Sequence, residues 1–252
     1  MIGTGRVAHH LCRAFASNDM VIAEVVGRNQ LKTNELAKSY GATSISKPEQ
    51  VSQNADLYVI AVSDDAIEEV IGTLPALGGL VVHTSGMKSQ IVFEKKFARY
   101  GIFYPLQTFS FERKPDFATI PVFVHSNTDG DTQLLLALGK KISNDVHVIS
   151  DAQRQRLHLA AVFVNNFSNT MYSIADELLT AEGLSFNALK PLLLETALKA
   201  LQMPPKEAQT GPARRNDRGT IQQHLQLLQQ HLDVQKVYQT MTDYILTQFH
   251  KE

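Results

Sequence analysis

Gly3-Thr4-Gly5-Arg6-Val7-Ala8 opens the chain and runs straight into a segment of helical spacing, Ala8–Ala16. The G-x-G-x-x-A spacing places one glycine where a tight turn is needed and a second where backbone must approach a pyrophosphate. A small alanine then stands where the helix packs on a strand. Free N–H groups at the helix start face the phosphate oxygens, which makes Gly3, Thr4, Gly5, Arg6 and Val7 the expected cofactor-facing residues. Such a triplet is weak evidence alone; its weight comes from a strand–helix–strand pattern at the right distance. Working outward, that pattern is present. Val21–Val26, Leu57–Val62, Leu80–His83, Gly101–Tyr104, Val122–Val124 and Val146–Ile149 are continuous apolar runs. Helical segments separate some of them, among them Gln30–Tyr40 and Asp65–Leu74, the latter capped by Asp64 or Asp65. Continuous apolar runs fit parallel strands covered on both faces. The expected fold is α/β, a doubly wound, Rossmann-like parallel sheet over residues 1–150.

Only Met1 and Ile2 precede Gly3, whereas a strand normally takes about five residues. That strand belongs in the centre of the sheet, where its loss exposes neighbouring edges. The numbering is therefore expected to begin at an internal methionine or after lost upstream residues.

Beyond Ile149 no strand pattern recurs. Ser150-Asp151-Ala152-Gln153 has the spacing of a capping box, and the helix it opens is expected to continue to about Glu182, ended by Gly183. Apolar residues recur at helical spacing through to Phe249. Residues 151–252 thus read as an all-helical second domain.

Composition narrows the function classes. A formal net charge of -1 argues against a nucleic-acid footprint. The single cysteine, Cys12, excludes an internal disulfide. No apolar run approaches the roughly 20 residues of a membrane span, and no signal peptide is evident, so a soluble cytoplasmic protein is the expectation. His9, His10, His125, His147, His224 and His231 form no metal-binding spacing.

At the end of the second predicted strand, Val25-Val26-Gly27-Arg28-Asn29 lacks the acidic residue that holds a ribose 2′-hydroxyl in NAD-preferring sites. Arg28 and Asn29 stand there instead. An arginine stacks on adenine and makes paired bonds to a 2′-phosphate, so NADP is the expected cofactor. Val62, Ser63 and Ser85 fall at carboxyl ends of strands, where ligands lie in open α/β sheets; turn chemistry is the alternative for Ser85-Gly86.

Several segments together resemble a known family. They are the glycine fingerprint, Ala61-Val62-Ser63-Asp64-Asp65, His83-Thr84-Ser85-Gly86, Pro105-Leu106-Gln107-Thr108-Phe109, His158 through Asn169, and Gln209-Thr210-Gly211-Pro212-Ala213-Arg214. The first half resembles the Rossmann domain of the pyrroline-carboxylate reductase, 6-phosphogluconate and β-hydroxyacid dehydrogenase superfamily. Nearly the whole chain resembles bacterial two-domain proteins with a helical C-terminal domain of unknown function. Those are labelled NADP oxidoreductases, some likened to deazaflavin-dependent ones. The resemblance implies the fold, NADP, a small-molecule substrate and a homodimer formed through the helical domain.

Chemistry is expected in two places. At about 100° per residue, His158, Asn165 and Asn169 share a narrow arc, opposite a packing stripe of Ala160, Phe163, Phe167, Met171, Ile174 and Leu178. By analogy with the superfamily, His158 donates a proton and Asn165 or Asn166 orients the substrate. The lysine that β-hydroxyacid dehydrogenases carry on this helix is absent between Asp151 and Glu182. Mutual satisfaction of these polar residues at an interface is the alternative. In the second place, Arg214 and Arg215 offer a clamp for a carboxylate or phosphate; an ion pair of Arg214 with Asp217 is the structural alternative. The leading expectation is an NADP(H)-dependent oxidoreductase acting on a small polar or anionic substrate. The rival is a dinucleotide-binding sensor or scaffold module without turnover.

Overall fold

The computed structural model describes residues 1–250. The chain forms two compact units, Met1–Asn166 and Phe167–Glu252.

In the first unit the strands are β1 (Glu24–Val26), β2 (Thr43–Ile45), β3 (Leu57–Ile60), β4 (Leu80–His83), β5 (Tyr100–Pro105), β6 (Val122–Ser126) and β7 (Val146–Val148). Its helices are α1 (Arg6–Ala16), α2 (Gln30–Ser39), α3 (Ile67–Thr73), α4 (Asp129–Ile142) and α5 (Asp151–Ala161). β1 pairs with β2, and β3 through β7 lie side by side in chain order. Between β1 and β3 the missing column is supplied by the first residues: Ile2 bridges in parallel to both Val26 and Ile60. Its amide donates to Val59 at 2.8 Å, and its carbonyl accepts from Ala61 at 2.7 Å. Beside this short strand a cavity of about 730 Å³ opens, lined by Phe15, Met20, Ile22, Val59 and Leu138 among others.

Both faces of the sheet are covered, which is why its strands read as unbroken apolar runs. Leu80 and Val82 of β4 pack into one cluster with Leu11, Phe15 and Leu135. Val81 packs into the other with Ile67, Ile71 and Phe93.

The sheet departs from expectation at three points. β2 is an added strand, and it is short. β6 runs antiparallel to β5, since the 106–121 connection holds only a turn of 3-10 helix, Phe117–Thr119, and no crossover helix to reverse the chain. Neither Asp64 nor Asp65 caps α3: both lie inside a 3-10 turn, Asp64–Ala66, led by Ser63 without a side-chain cap.

The capping box of Ser150 and Gln153 forms as expected. The helix it opens lies within the first unit as α5, followed by a π-helical turn, Val162–Phe167, in which the chain passes to the second unit.

That unit contains α6 (Ser168–Ala181), α7 (Lys190–Gln202), α8 (Pro205–Ala208), α9 (Arg218–Leu227) and α10 (Leu232–Phe249). Gly183, at φ +70°, follows the end of α6. Here the Leu184 and Gly183 amides return to Leu179 and Thr180, closing the helix as its C-terminal glycine predicts. Ala213, Ile221 and Leu246 form the buried centre of this unit. In contrast, α6 and α7 bury no residue. Among the described residues no helix is long and apolar enough to cross a membrane.

Candidate functional site

Gly3 sits at φ +123°, and a Cβ there would lie 2.2 Å from the Ala61 carbonyl oxygen. Only glycine lets the chain turn this close to β3. Gly5 is the N-cap of α1, has no side chain to cap the helix, and meets nothing within 4 Å of where a Cβ would stand. The first amides of α1 have no intrahelical acceptor and no side-chain cap. That uncapped cradle fits a dinucleotide pyrophosphate. Thr4 packs against the end of β1, its methyl 2.7 Å from the Cβ position of Gly27. Val7 is half-buried against the core, and Arg6 extends outward, its guanidinium 6.0 Å from the ring of Phe111.

Arg28 follows β1 and is exposed, without an ion pair among the described residues. Asn29 is the N-cap of α2 and accepts from the Lys32 amide at 3.1 Å. Val62 is half-buried and Ser63 exposed just past β3. Ser85 turns inward: its hydroxyl oxygen accepts from the amides of Met87 and Lys88 at 3.0 and 2.9 Å. Its lone pairs are engaged by its own turn.

Behind that turn lies a polar network that the sequence did not disclose. Arg154 of α5 is fully buried. Its Nε donates to the Gly86 carbonyl at 3.2 Å and its Nη2 to the Lys88 carbonyl. Its Nη1 forms an ion pair with Asp151 Oδ1 at 2.9 Å. Asp151 Oδ2 accepts from Ser89 Oγ at 2.5 Å and from the Gln90 amide at 3.1 Å. A buried arginine and a half-buried aspartate thus tie the start of α5 to the loop after β4. An i, i+3 acid–base pair in a first helical turn was the available signal, but it reads as an ordinary surface pair.

His83 ends β4 beside this network. Burial, then the Arg154 charge, pushes its pKa down to about 4 from 6.5, so the folded protein holds it neutral. Between those values the unfolded chain binds a proton that the folded chain refuses, so stability falls as pH drops through this window. The expected loss from pH 7 to 4.5 is about 2–3 kcal/mol. Urea midpoints across that range should show it, and His83→Asn should remove most of the slope; an unchanged slope would assign it elsewhere.

His158 of α5 lies on the other side of Gly86. A Cβ at Gly86 would fall 2.3 Å from His158 Nδ1 and 2.5 Å from its Cγ, so glycine is what admits the imidazole. His158 Nδ1 is 2.9 Å from the hydroxyl of Tyr104, with the two rings edge to face at 6.0 Å. Tyr104 stands near the end of β5, is 7% exposed, and burial pushes its pKa up to about 12. His158 is therefore joined to the sheet edge by Gly86 and Tyr104, all within the first unit.

Asn165 and Asn166 are exposed, their amides 3.5 Å apart. They lie in the π-helical turn, which winds wider than an α-helix. The uniform 100° advance that placed His158, Asn165 and Asn169 on one arc consequently does not hold. Of the stripe opposite, Phe163, Phe167 and Met171 are 60%, 48% and 37% exposed, whereas Ile174 and Leu178 are half-buried.

In the second unit, Arg214 lies in a 3-10 turn, Ala213–Arg215, between Gly211 at φ +99° and Asn216 at φ +55°. Its guanidinium stacks 4.2 Å over the ring of Phe249, and its carbonyl stands 3.0 Å from His250 Nε2. Asp217 caps α9, accepting from the amide and hydroxyl of Thr220 at 3.0 and 2.7 Å. The alternative pairing of Arg214 with Asp217 is not formed.

Residues 1–85 match the family described as NADP oxidoreductase, coenzyme F420-dependent. Residues 120–245 match the domain of unknown function DUF2520. Curated proteins give no match. A solved structure from Bacteroides fragilis, described as a candidate NADP oxidoreductase, is 36% identical, with a TM-score of 0.90 over 97% of this chain and 96% of that one. A Thermotoga maritima protein is 21% identical, with a TM-score of 0.72 over 97% and 95%. An imine reductase from Myxococcus stipitatus in complex with NADP+ is 18% identical, with a TM-score of 0.69 over 97% and 91%; these two share the fold. The chain belongs to the family of two-domain proteins that join an NADP oxidoreductase N-terminal domain to a DUF2520 C-terminal domain.

Proposed function

We propose that the chain is an NADP(H)-dependent oxidoreductase that reduces or oxidises a small polar or anionic substrate. The observation that carries this is the uncapped start of α1 at Gly5, beside a Gly3 that no other residue can replace. The exposed Arg28 supports NADP over NAD, as its guanidinium is free to grip a 2′-phosphate. When bound, the cofactor exchanges a hydride with carbon. The chain must hold it in one pose and supply or take the proton at the neighbouring oxygen or nitrogen. His158 does the latter, its imidazole being able to hold or release a proton at a ring nitrogen. Asn165 or Asn166 orients the substrate. Within the second unit taken by itself, Arg214, its side chain stacked on Phe249, keeps N–H groups with which it can grip an anion.

Calorimetric titration tests the cofactor reading. NADPH should bind at least tenfold more tightly than NADH, and Arg28→Asp should cost NADPH 1.4 kcal/mol or more while sparing NADH. Equal effects on both would remove the selectivity, and no binding of either would remove the function. Turnover is tested by NADPH oxidation against a panel of small carbonyl and imine compounds, with His158→Gln as control. Binding without any turnover would favour the sensor reading.

The homodimer is also proposed, through the helical unit. Leu194, Leu198 and Leu201 share one side of α7 and are 58%, 41% and 83% exposed. A helix of this length draws its stability from burying an apolar face, and exposed apolar patches of this kind mark interfaces. Sedimentation should give a dimer, and Leu194→Glu with Leu201→Glu a monomer. A wild-type monomer would refute the proposal.

A further inference from the structure

We infer that Tyr104 is a positioning residue that fixes His158 as its Nε2–H tautomer. The inference rests on the reading of His158 as proton donor for its significance, but not for its geometry. The phenol, 7% exposed and with its pKa raised to about 12 by burial, keeps its proton throughout the neutral range. Its hydroxyl has one hydrogen-bond partner among the described residues, His158 Nδ1 at 2.9 Å. If neutral His158 carried its proton on Nδ1, that N–H would point at the phenol oxygen. The phenolic hydrogen would then be left without an acceptor in a buried position, which is unfavourable. With the phenol as donor, Nδ1 is the acceptor and the ring proton resides on Nε2.

The same contacts set the ring's direction. Nδ1 and Cγ form the edge pressed against Gly86, where a Cβ would come within 2.3 and 2.5 Å. Nε2 lies on the opposite edge, away from both Gly86 and the phenol. Tyr104 and Gly86 together hold the inner edge of the imidazole, so that the outer N–H is the group offered to a ligand. An N–H of this kind donates to an atom with a free lone pair, such as a carbonyl oxygen or a neutral imine nitrogen. It has nothing to give a protonated iminium.

The test is a long-range proton–nitrogen correlation spectrum of the imidazoles in the NADP+-bound protein, in the neutral range. The His158 signals are identified by their loss in His158→Gln. The expected wild-type pattern is a protonated Nε2 and an unprotonated Nδ1. Tyr104→Phe, which keeps the ring and removes only the hydroxyl, should shift both nitrogens toward the averaged values of a mixed population. Melting curves of the two proteins establish that both are folded; should the phenylalanine variant fail to fold, the wild-type pattern alone decides. A protonated Nδ1 in the wild type, or an unchanged pattern in Tyr104→Phe, overturns the inference. Full turnover by His158→Gln with the expected spectra would instead overturn the proton-donor reading and leave the tautomer assignment standing.

Discussion

Replacing Arg154 by leucine is expected to lower the unfolding free energy by about 3–5 kcal/mol, because it leaves a partly buried carboxylate without its countercharge. The guanidinium is fully buried and holds two carbonyls, those of Gly86 and Lys88, besides facing Asp151. All of these lose their donor at once. Urea unfolding at fixed protein concentration measures the loss. The double replacement Arg154→Leu with Asp151→Leu should recover part of it, since no unpaired charge then remains. A loss below about 1 kcal/mol in the single variant would show that the clamp does not hold α5 on the sheet. The same variant should also disorder the turn at Ser85–Gly86, and with it the seat of His158.

The second large effect is expected at the glycine loop, where two neighbouring glycines should fail in different ways. Gly3→Ala places a methyl within 2.2 Å of the Ala61 carbonyl at a φ of +123°. Backbone strain of this kind costs about 1–3 kcal/mol before any clash is relieved. Both the melting temperature and NADPH binding should fall, the latter by a hundredfold or more, about 2.8 kcal/mol. Gly5→Ala meets nothing within 4 Å in the protein itself. Its melting temperature should stay within about 2 °C of wild type, a shift worth roughly 1 kcal/mol or less. NADPH affinity should nevertheless fall by about tenfold, because the methyl enters the space left for the pyrophosphate. Undiminished NADPH binding by Gly5→Ala would place the phosphates elsewhere.

Much of the first unit was legible because its strands are buried on both faces, so Leu80–His83 and Val122–Val124 declare themselves without knowledge of their neighbours. Thr43–Ile45 escaped because a short polar edge strand carries no periodic signal. The reversal at β6 escaped because an apolar run looks the same in either direction; only the missing crossover helix between residues 106 and 121 hinted at it. The Ser150 capping box and the Gly183 stop were readable since both are local chemistry. The π-helical turn was not, as nothing in Val162–Phe167 distinguishes it from regular helix.

For the candidate site the division is similar. The glycine loop is a contiguous motif and can be read as one. Tyr104 was visible in the sequence as a neighbour of Pro105, but its partner His158 is 54 residues away. Arg154 and Asp151 look like a surface pair until the loop after β4 folds over them. Asp64 and Asp65 show the converse failure, where good capping residues were passed over because the chain enters α3 through a 3-10 turn.

The two outer strands of the sheet, β2 and β7, are three residues each. Their shortness, with Ser44 at one border and the His147–Asp145 pair at the other, offers a poor template for any incoming chain. A sheet whose middle is strongly hydrophobic is thus finished at both margins, which guards against edge-to-edge aggregation. Substituting valines along either margin to make the protein more stable would trade that protection away.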